Sequence, residues 1–316
     1  MAENVKKKKK QKEVLEGFEK FNRVSKPTNA VLHVIFILAA LACVVPVLLV
    51  VAISFSAEES IQQYGYSFIP KIVSLEGYAC LVTQGKMILR ALGISLFVTV
   101  VGTVLGVLLT TLMGYVLSRP TYKLKGFLTM VVFIPMVFNG GLVSTYVVVT
   151  QFLGLKNSIW ALILPLCVSS FNVIICRTFF QTTVPESLIE SAKMDGATQL
   201  KIFFSVVLPI SLPVLATIGL FLSFAYWNDW YQSLLYIEDS SLYSLQALLN
   251  AILTNIQVLA KNAAAMGASQ AEVLANMPQE SARMAIVVCI VLPIACAYPY
   301  FQKYFISGLT VGAVKG

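Results

Sequence analysis

The chain of 316 residues has a mean hydropathy of +0.80 and only 12% charged residues, about half the charged share of ordinary soluble domains. That composition excludes a water-soluble enzyme and leaves one polytopic, all-α membrane domain with no room for a second folded unit. The net charge of +8 sits mainly at one end, where five successive lysines, Lys6 to Lys10, stand beside an apolar run. Such a run reads as a topology determinant on anionic lipid headgroups rather than as a nucleic-acid patch.

Six apolar runs approach or exceed the roughly 17–25 residues that cross a bilayer: 31–54, 91–117, 127–149, 157–176, 206–226 and 285–302. Seventeen of the 23 lysines and arginines fall before span one, at 118–126, at 177–205 or after span six, against six in the alternate loops. The bias predicts six transmembrane helices with both termini in the cytoplasm. Residues 1–30 read as a lysine-rich tail with a short amphipathic helix from Val14 to Phe21, and 31–316 as the membrane domain. The first apolar run is longer than a secretory signal core and five more follow, so it is expected to stay as a span.

In chain order, span one carries Pro46, a kink that neighbouring helices tolerate in lipid. Residues 55–90 form an outward segment with Tyr64, Tyr66 and Tyr78 as interfacial anchors. Span two holds Gly102-x-x-x-Gly106, a spacing that permits close helix contact. Arg119, Lys123 and Lys125 mark the inner turn. Span three is interrupted by Pro135 and by Asn139-Gly140-Gly141, which at membrane depth either pack tightly or line a wet pathway. Span four contains Pro165, Ser169, Ser170 and Asn172 and leaves the membrane at Arg177.

The one long polar stretch between spans follows, ESAKMDGATQLKIFFSVVLP from Glu190 to Pro209, within a loop read as 183–210. Pro185 and Glu186 suit the first turn of a helix, with the acid at the positive end of the dipole. Leu188 and Ala192 share a face, Ser187, Ser191 and Asp195 another, and the small Ser191 and Ala192 allow close approach of a second surface. Gly196 stops the helix as a left-handed cap, and a second helical run is expected from Ala197 to Phe204. The product is a bent helical knob suited to a groove on a partner. Pro209 and Pro213, four apart, predict a bend at the start of span five. That span ends in Tyr226-Trp227-Asn228-Asp229-Trp230-Tyr231. An outward, partly helical loop at 232–283 and span six, with Pro293 and Pro299, complete the chain.

Glu190-Ser191-Ala192, then Gly196, then Val206-x-Leu208-Pro209 resembles the EAA loop of permease subunits in binding-protein-dependent ABC importers, departing at Ser191 for Ala and at Val206 for Ile. FNGGLVSTYVVV, LKNSIWALILP and YFISGLTVGAVKG resemble, more narrowly, the carbohydrate-uptake permeases of maltose-type importers, closest to the subgroup for larger oligosaccharides. The resemblance implies the type I ABC importer permease fold in a bacterial plasma membrane. It also implies as partners a second homologous permease, two cytosolic ATPases and an extracytoplasmic sugar-binding protein. Carried over residue by residue, Glu190, Ser191, Ala192, Asp195, Gly196, Leu208 and Pro209 become the ATPase-coupling set. ATP and Mg would belong to the partner ATPases, leaving this chain without a cofactor.

The residues themselves agree with a passive subunit. No Asp, Glu, Lys or Arg lies in the middle of any predicted span, whereas ion-driven carriers usually hold ionisable groups there. No Gly-x4-Gly-Lys-Ser/Thr phosphate loop occurs, and no paired carboxylates or nucleophile–base pair lies in the spans, so no catalytic residue is assigned. Cys289 and Cys296, seven apart, have no histidine beside them and read as apolar filler rather than metal ligands. For sugar, which needs aromatic faces and amide partners, the candidates are Asn139, Tyr146, Trp227, Asn228 and Trp230; for the tryptophans, interface anchoring is the competing role. An ATP-independent channel or facilitator also fits the uncharged spans but leaves the polar knob without a task.

Overall fold

The computed structural model describes residues 25–83, 85–262 and 279–313. The tail helix expected at Val14 to Phe21 lies outside them. Among the described residues the chain is helical, with one isolated antiparallel bridge between Ser56 and Val73.

Helix α1 (Lys26–Ser54) opens on Ser25, whose hydroxyl accepts the Thr28 N–H at 3.4 Å, with Pro27 in the first turn. It continues through Pro46 and is long and apolar enough to cross a membrane, yet none of its most apolar stretch is buried within this chain. Two short helices follow, α2 (Glu58–Tyr64) and α3 (Glu76–Thr83). The buried Glu58 carboxylate accepts the N–H groups of Glu280 and Ser281 at 3.1 Å. It thereby caps the N-terminus of the last helix, where the dipole favours an anion.

Helix α4 (Gly85–Ser118) is the second helix of membrane-crossing length and the hub of the molecule. Its glycines explain how. A Cβ at Gly102 would stand 2.4 Å from the Tyr226 ring, and one at Gly106 would stand 2.7 Å from the Cys167 carbonyl oxygen. Gly114 is tight in the same way against Cys176 Cβ, at 2.6 Å. The Gly102–Gly106 pair therefore does what its spacing predicts, with Gly114, two such steps further on, extending the close contact. Tyr226, so admitted, donates its hydroxyl to the Ile163 carbonyl at 2.7 Å.

The third predicted span is two helices, α5 (Lys125–Val137) and α6 (Gly141–Val147), the latter running into a π-turn at Val148–Phe152. The break spans residues 138–140 and ends at Gly141, which adopts φ +82° and whose N–H is accepted by the Asn139 side-chain oxygen at 2.9 Å. The fourth predicted span is likewise a pair, α7 (Trp160–Cys167) and α8 (Ser170–Thr183), bent by 47° and reaching seven residues beyond the apolar run. By length and composition the described residues contain two membrane-crossing helices, or up to four when each bent pair counts as one.

After the polar loop come α12 (Leu212–Trp227), α13 (Tyr231–Tyr236), a 3-10 turn at Ser240–Leu242, α14 (Leu245–Asn262) and α15 (Gln279–Ala313). The loop's own elements are α9 to α11, described below. The predicted outward loop is thus helical over much of its described part. The start of α14 is pinned to α4 by Ser95, whose hydroxyl accepts the Leu245 N–H at 2.7 Å.

Candidate coupling knob and outward aromatic cluster

The polar loop folds as two helices at an angle. Helix α9 (Glu186–Met194) begins one residue later than predicted: Pro185 is its N-cap, extended at ψ 137°, and Glu186 is the first helical residue. Val184 is extended as well, the conformation a following proline imposes. The helix ends in a Schellman cap. Gly196 adopts φ +77° and donates to Lys193 O at 2.9 Å, and Ala197 donates to Ala192 O at 3.0 Å. Thr198 then caps α10 (Gln199–Ile202), its hydroxyl accepting the Lys201 N–H at 3.4 Å. The second run therefore starts two residues after the predicted Ala197. A π-turn at Phe203–Val207 and one turn of helix, α11 (Leu208–Ile210), complete the knob.

The bend expected from the two prolines amounts to 86° and is centred on Ser211. In an unbroken helix the N–H of residue 213 would donate to the carbonyl of Pro209; proline has none to give. Residues 206–210 consequently belong to the knob, and the apolar helix starts at Leu212 rather than at the predicted 206.

The knob is anchored by one face. Ile189, Ile202, Phe203 and Val207 are fully or almost fully buried in the main core, with Ala192, Val206 and Leu208 packed against it. Ala192 therefore rests partly on its own chain instead of facing wholly outward with Ser191. Exposed on the other side are Glu190, Ser191, Asp195, Gly196 and Pro209. Met194 at 87% and Leu200 at 65% exposure add apolar tips to that surface.

Two residues of α4 and its end, not singled out from the sequence as part of this site, lie against the knob, and Tyr115 binds it directly. The Tyr115 ring lies 5.3 Å from that of Phe203 and 6.3 Å, edge-on, from that of Phe180. Its hydroxyl donates to the Gln199 side-chain oxygen at 3.2 Å. Arg119, read from sequence as a topology charge, is buried: its guanidinium lies 5.2 Å from the Tyr115 ring, donates from Nε to Ser118 Oγ at 3.0 Å and from Nη2 to Phe180 O at 3.4 Å. The available signal was the four-residue spacing of Tyr115 and Arg119, which stacks a cation over a ring on one helix face.

The five sugar-pathway candidates have different surroundings. Asn139 is exposed and its amide oxygen is engaged in the local turn. Tyr146 is half-buried and stacks on Tyr236 at 6.0 Å and 18°. Trp227, 5% exposed, packs with Leu81, Ala91, Leu249 and Ile286 and donates Nε1–H to Ile290 O at 3.3 Å. Asn228 caps α12, donating to Phe224 O at 3.0 Å. Trp230, 43% exposed, borders a surface groove of about 220 Å³ with Tyr243, Asn250, Thr254 and Asn255. Of the three aromatics, Trp230 keeps the most open face. Between Asn228 and Trp230, burial raises the Asp229 carboxyl to about 6, against the opposing pull of the Gln232 and Tyr231 N–H groups.

Comparisons with known proteins agree with this architecture. The chain is 39% identical over 274 residues to the polygalacturonan/rhamnogalacturonan transport system permease protein YtcP of Bacillus subtilis (strain 168), covering 87% of this chain and 93% of that one. It is 38% identical to protein LplC of the same organism, over 86% of this chain and 90% of the relative. The arabinooligosaccharides transport system permease protein AraQ of Halalkalibacterium halodurans is 27% identical over 86% of this chain and 91% of its own. A crystal structure of a bacterial ABC transporter involved in the import of the acidic polysaccharide alginate superposes with a TM-score of 0.75 at 24% identity, covering 90% of this chain and 99% of the matched one. At that identity the likeness speaks for the fold. Residues 102–311 match the family described as binding-protein-dependent transport system inner membrane component. The chain belongs to that family: it is a multi-pass membrane permease of the ABC transporter class.

Proposed function

We propose that this permease forms half of the translocation pathway of an ATP-driven oligosaccharide importer, the other half coming from a second homologous permease. The observation that carries the reading is the knob. It is a capped, bent pair of helices, anchored by Ile189, Ile202 and Phe203, that exposes Glu190, Ser191 and Asp195. A cytosolic ATPase that closes on ATP would seat the knob in a groove. The 86° turn at Ser211 would pass the motion into α12. Glu190 would meet a basic residue, Ala192 and Leu208 would back the contact against the core, and Gly196 and Pro209 would fix the two bends. ATP and Mg would be held by the ATPases.

The six-span reading with both termini inside rests on the charge bias and on four groups of helices. These are α1, α4, the bent α7–α8 pair and α12, the part of the second bent pair that lies beyond the knob. The broken α5–α6 run would supply a fifth crossing, and α15, with 35 residues and so roughly 52 Å of length, would supply a sixth. An extracytoplasmic binding protein would deliver sugar to the outward ends, where Trp230 and Asn228 are exposed and Asn139, Tyr146 and Trp227 complete the candidate set. The 39% identical relative is named for polygalacturonan and rhamnogalacturonan transport, so oligomers of those polysaccharides are the first substrates to try.

Gly196→Pro tests the knob. The variant should insert and be recovered from membranes at the normal level, while sugar-stimulated ATPase activity of the assembled complex is abolished. Normal stimulation in that variant would remove the coupling role.

A further inference from the structure

The buried guanidinium of Arg119 is only partly satisfied. Nε and Nη2 are held by Ser118 and Phe180, and Ser118 is in turn fixed by donating to Tyr115 O at 2.7 Å. Nη1 is buried with no hydrogen-bond partner among the described residues, and it faces Glu186 Oε2 at 3.9 Å. A direct charge-assisted bond is about 2.7–2.9 Å long, so the pair stands about 1 Å short of closing. The two sides differ in how firmly they are held. Arg119 is clamped by α4 and α8, its side chain only 10% exposed, whereas Glu186 is 44% exposed and is the first residue of the knob's leading helix.

We propose that Arg119 and Glu186 form a latch that closes when the knob is pressed inward and opens when it is released. This gives the knob a second output, directly to α4, besides the backbone path through Ser211 into α12. It rests on the coupling reading of the knob. Helix α4 suits the task because its glycine faces lock against Tyr226 of α12 and against Cys167 and Cys176 of α7 and α8. Motion delivered to α4 therefore reaches the same bundle from the opposite side. The Tyr115–Gln199 bond, at 3.2 Å, keeps α10 attached to α4 in the structure described and serves as the pivot about which Glu186 approaches. Arg119 is a positioning residue: it touches the knob and not the transported sugar.

The test uses the full transporter in proteoliposomes, with ATP hydrolysis and oligogalacturonide uptake measured together. Glu186→Gln is the decisive variant, because its side chain is half exposed and the change preserves shape. The expected result is normal copurification of the ATPases and normal basal hydrolysis. Uptake per ATP should fall by at least about fivefold, the lower edge of ordinary coupling free energies. Glu186→Asp should recover part of the loss, and Arg119→Gln combined with Glu186→Gln should be no worse than Arg119→Gln alone. Wild-type uptake per ATP in Glu186→Gln would overturn the latch. Failure of the unmodified chain to retain any ATPase would instead overturn the coupling reading on which the latch depends.

Discussion

Gly196 holds φ +77° with no heavy atom within 4 Å of where a Cβ would stand, so its requirement is backbone conformation and not space. Gly196→Ala should then cost about 1–2 kcal/mol and loosen the end of α9, while Gly196→Asn should cost less, because asparagine tolerates the left-handed region. Thermal unfolding of the purified chain in detergent ranks the two. The two tryptophans beside Asn228 separate in the same assay. Trp227→Ala empties a packed site and should cost roughly 3–5 kcal/mol. Trp230→Ala should leave the melting temperature nearly unchanged and lower sugar uptake, since its ring lies open on the surface groove. Asp229 supplies the pH dependence. Its carboxyl is raised to about 6 by burial, so the folded state favours the protonated form. The stabilisation is complete below the ordinary carboxylate range and is lost as pH rises through about 6. Asp229→Asn should remove that dependence, its melting temperature gaining on the parent between pH 4 and pH 7.

At the scale of elements, the helices meet through absent side chains and bend through absent donors. Gly106→Ala sets a methyl group against a backbone carbonyl that cannot step aside, and should cost about 1–3 kcal/mol. Gly102→Ala meets the Tyr226 ring and should also disturb the Tyr226–Ile163 bond. Pro213→Ala restores a donor toward the Pro209 carbonyl and should reduce the 86° turn, read out as a longer distance between spin labels on α10 and α12 or as weakened coupling. These features were legible in the sequence because glycine and proline act locally: the Gly102–Gly106 spacing, the cap at Gly196 and the Pro209–Pro213 bend each state their geometry within a few residues. What was not legible depends on distant partners. Tyr115 reaches Gln199, 84 positions away, and Arg119 reaches Phe180, 61 away. Trp227 is committed to Ile290, 63 away, so an aromatic chosen for its chemistry is largely enclosed by its surroundings. Asn139 was legible as a break in a span, but its side chain serves the break itself.

Over the whole molecule the described residues leave a large apolar surface, including most of α1, which fits a chain surrounded by lipid and by a second permease. The polar knob is fastened to the bundle through Ile189, Ile202, Phe203 and Tyr115. A push on it has firm contacts through which to travel, and nothing in the sequence supplies a nucleotide-binding loop of its own. The direct measurement is concentrative uptake of labelled oligosaccharide into proteoliposomes, with and without the sister permease, the ATPases, the binding protein and ATP. The account predicts accumulation against a gradient with the complete set and none with this chain alone. Uphill accumulation by the lone chain would contradict it.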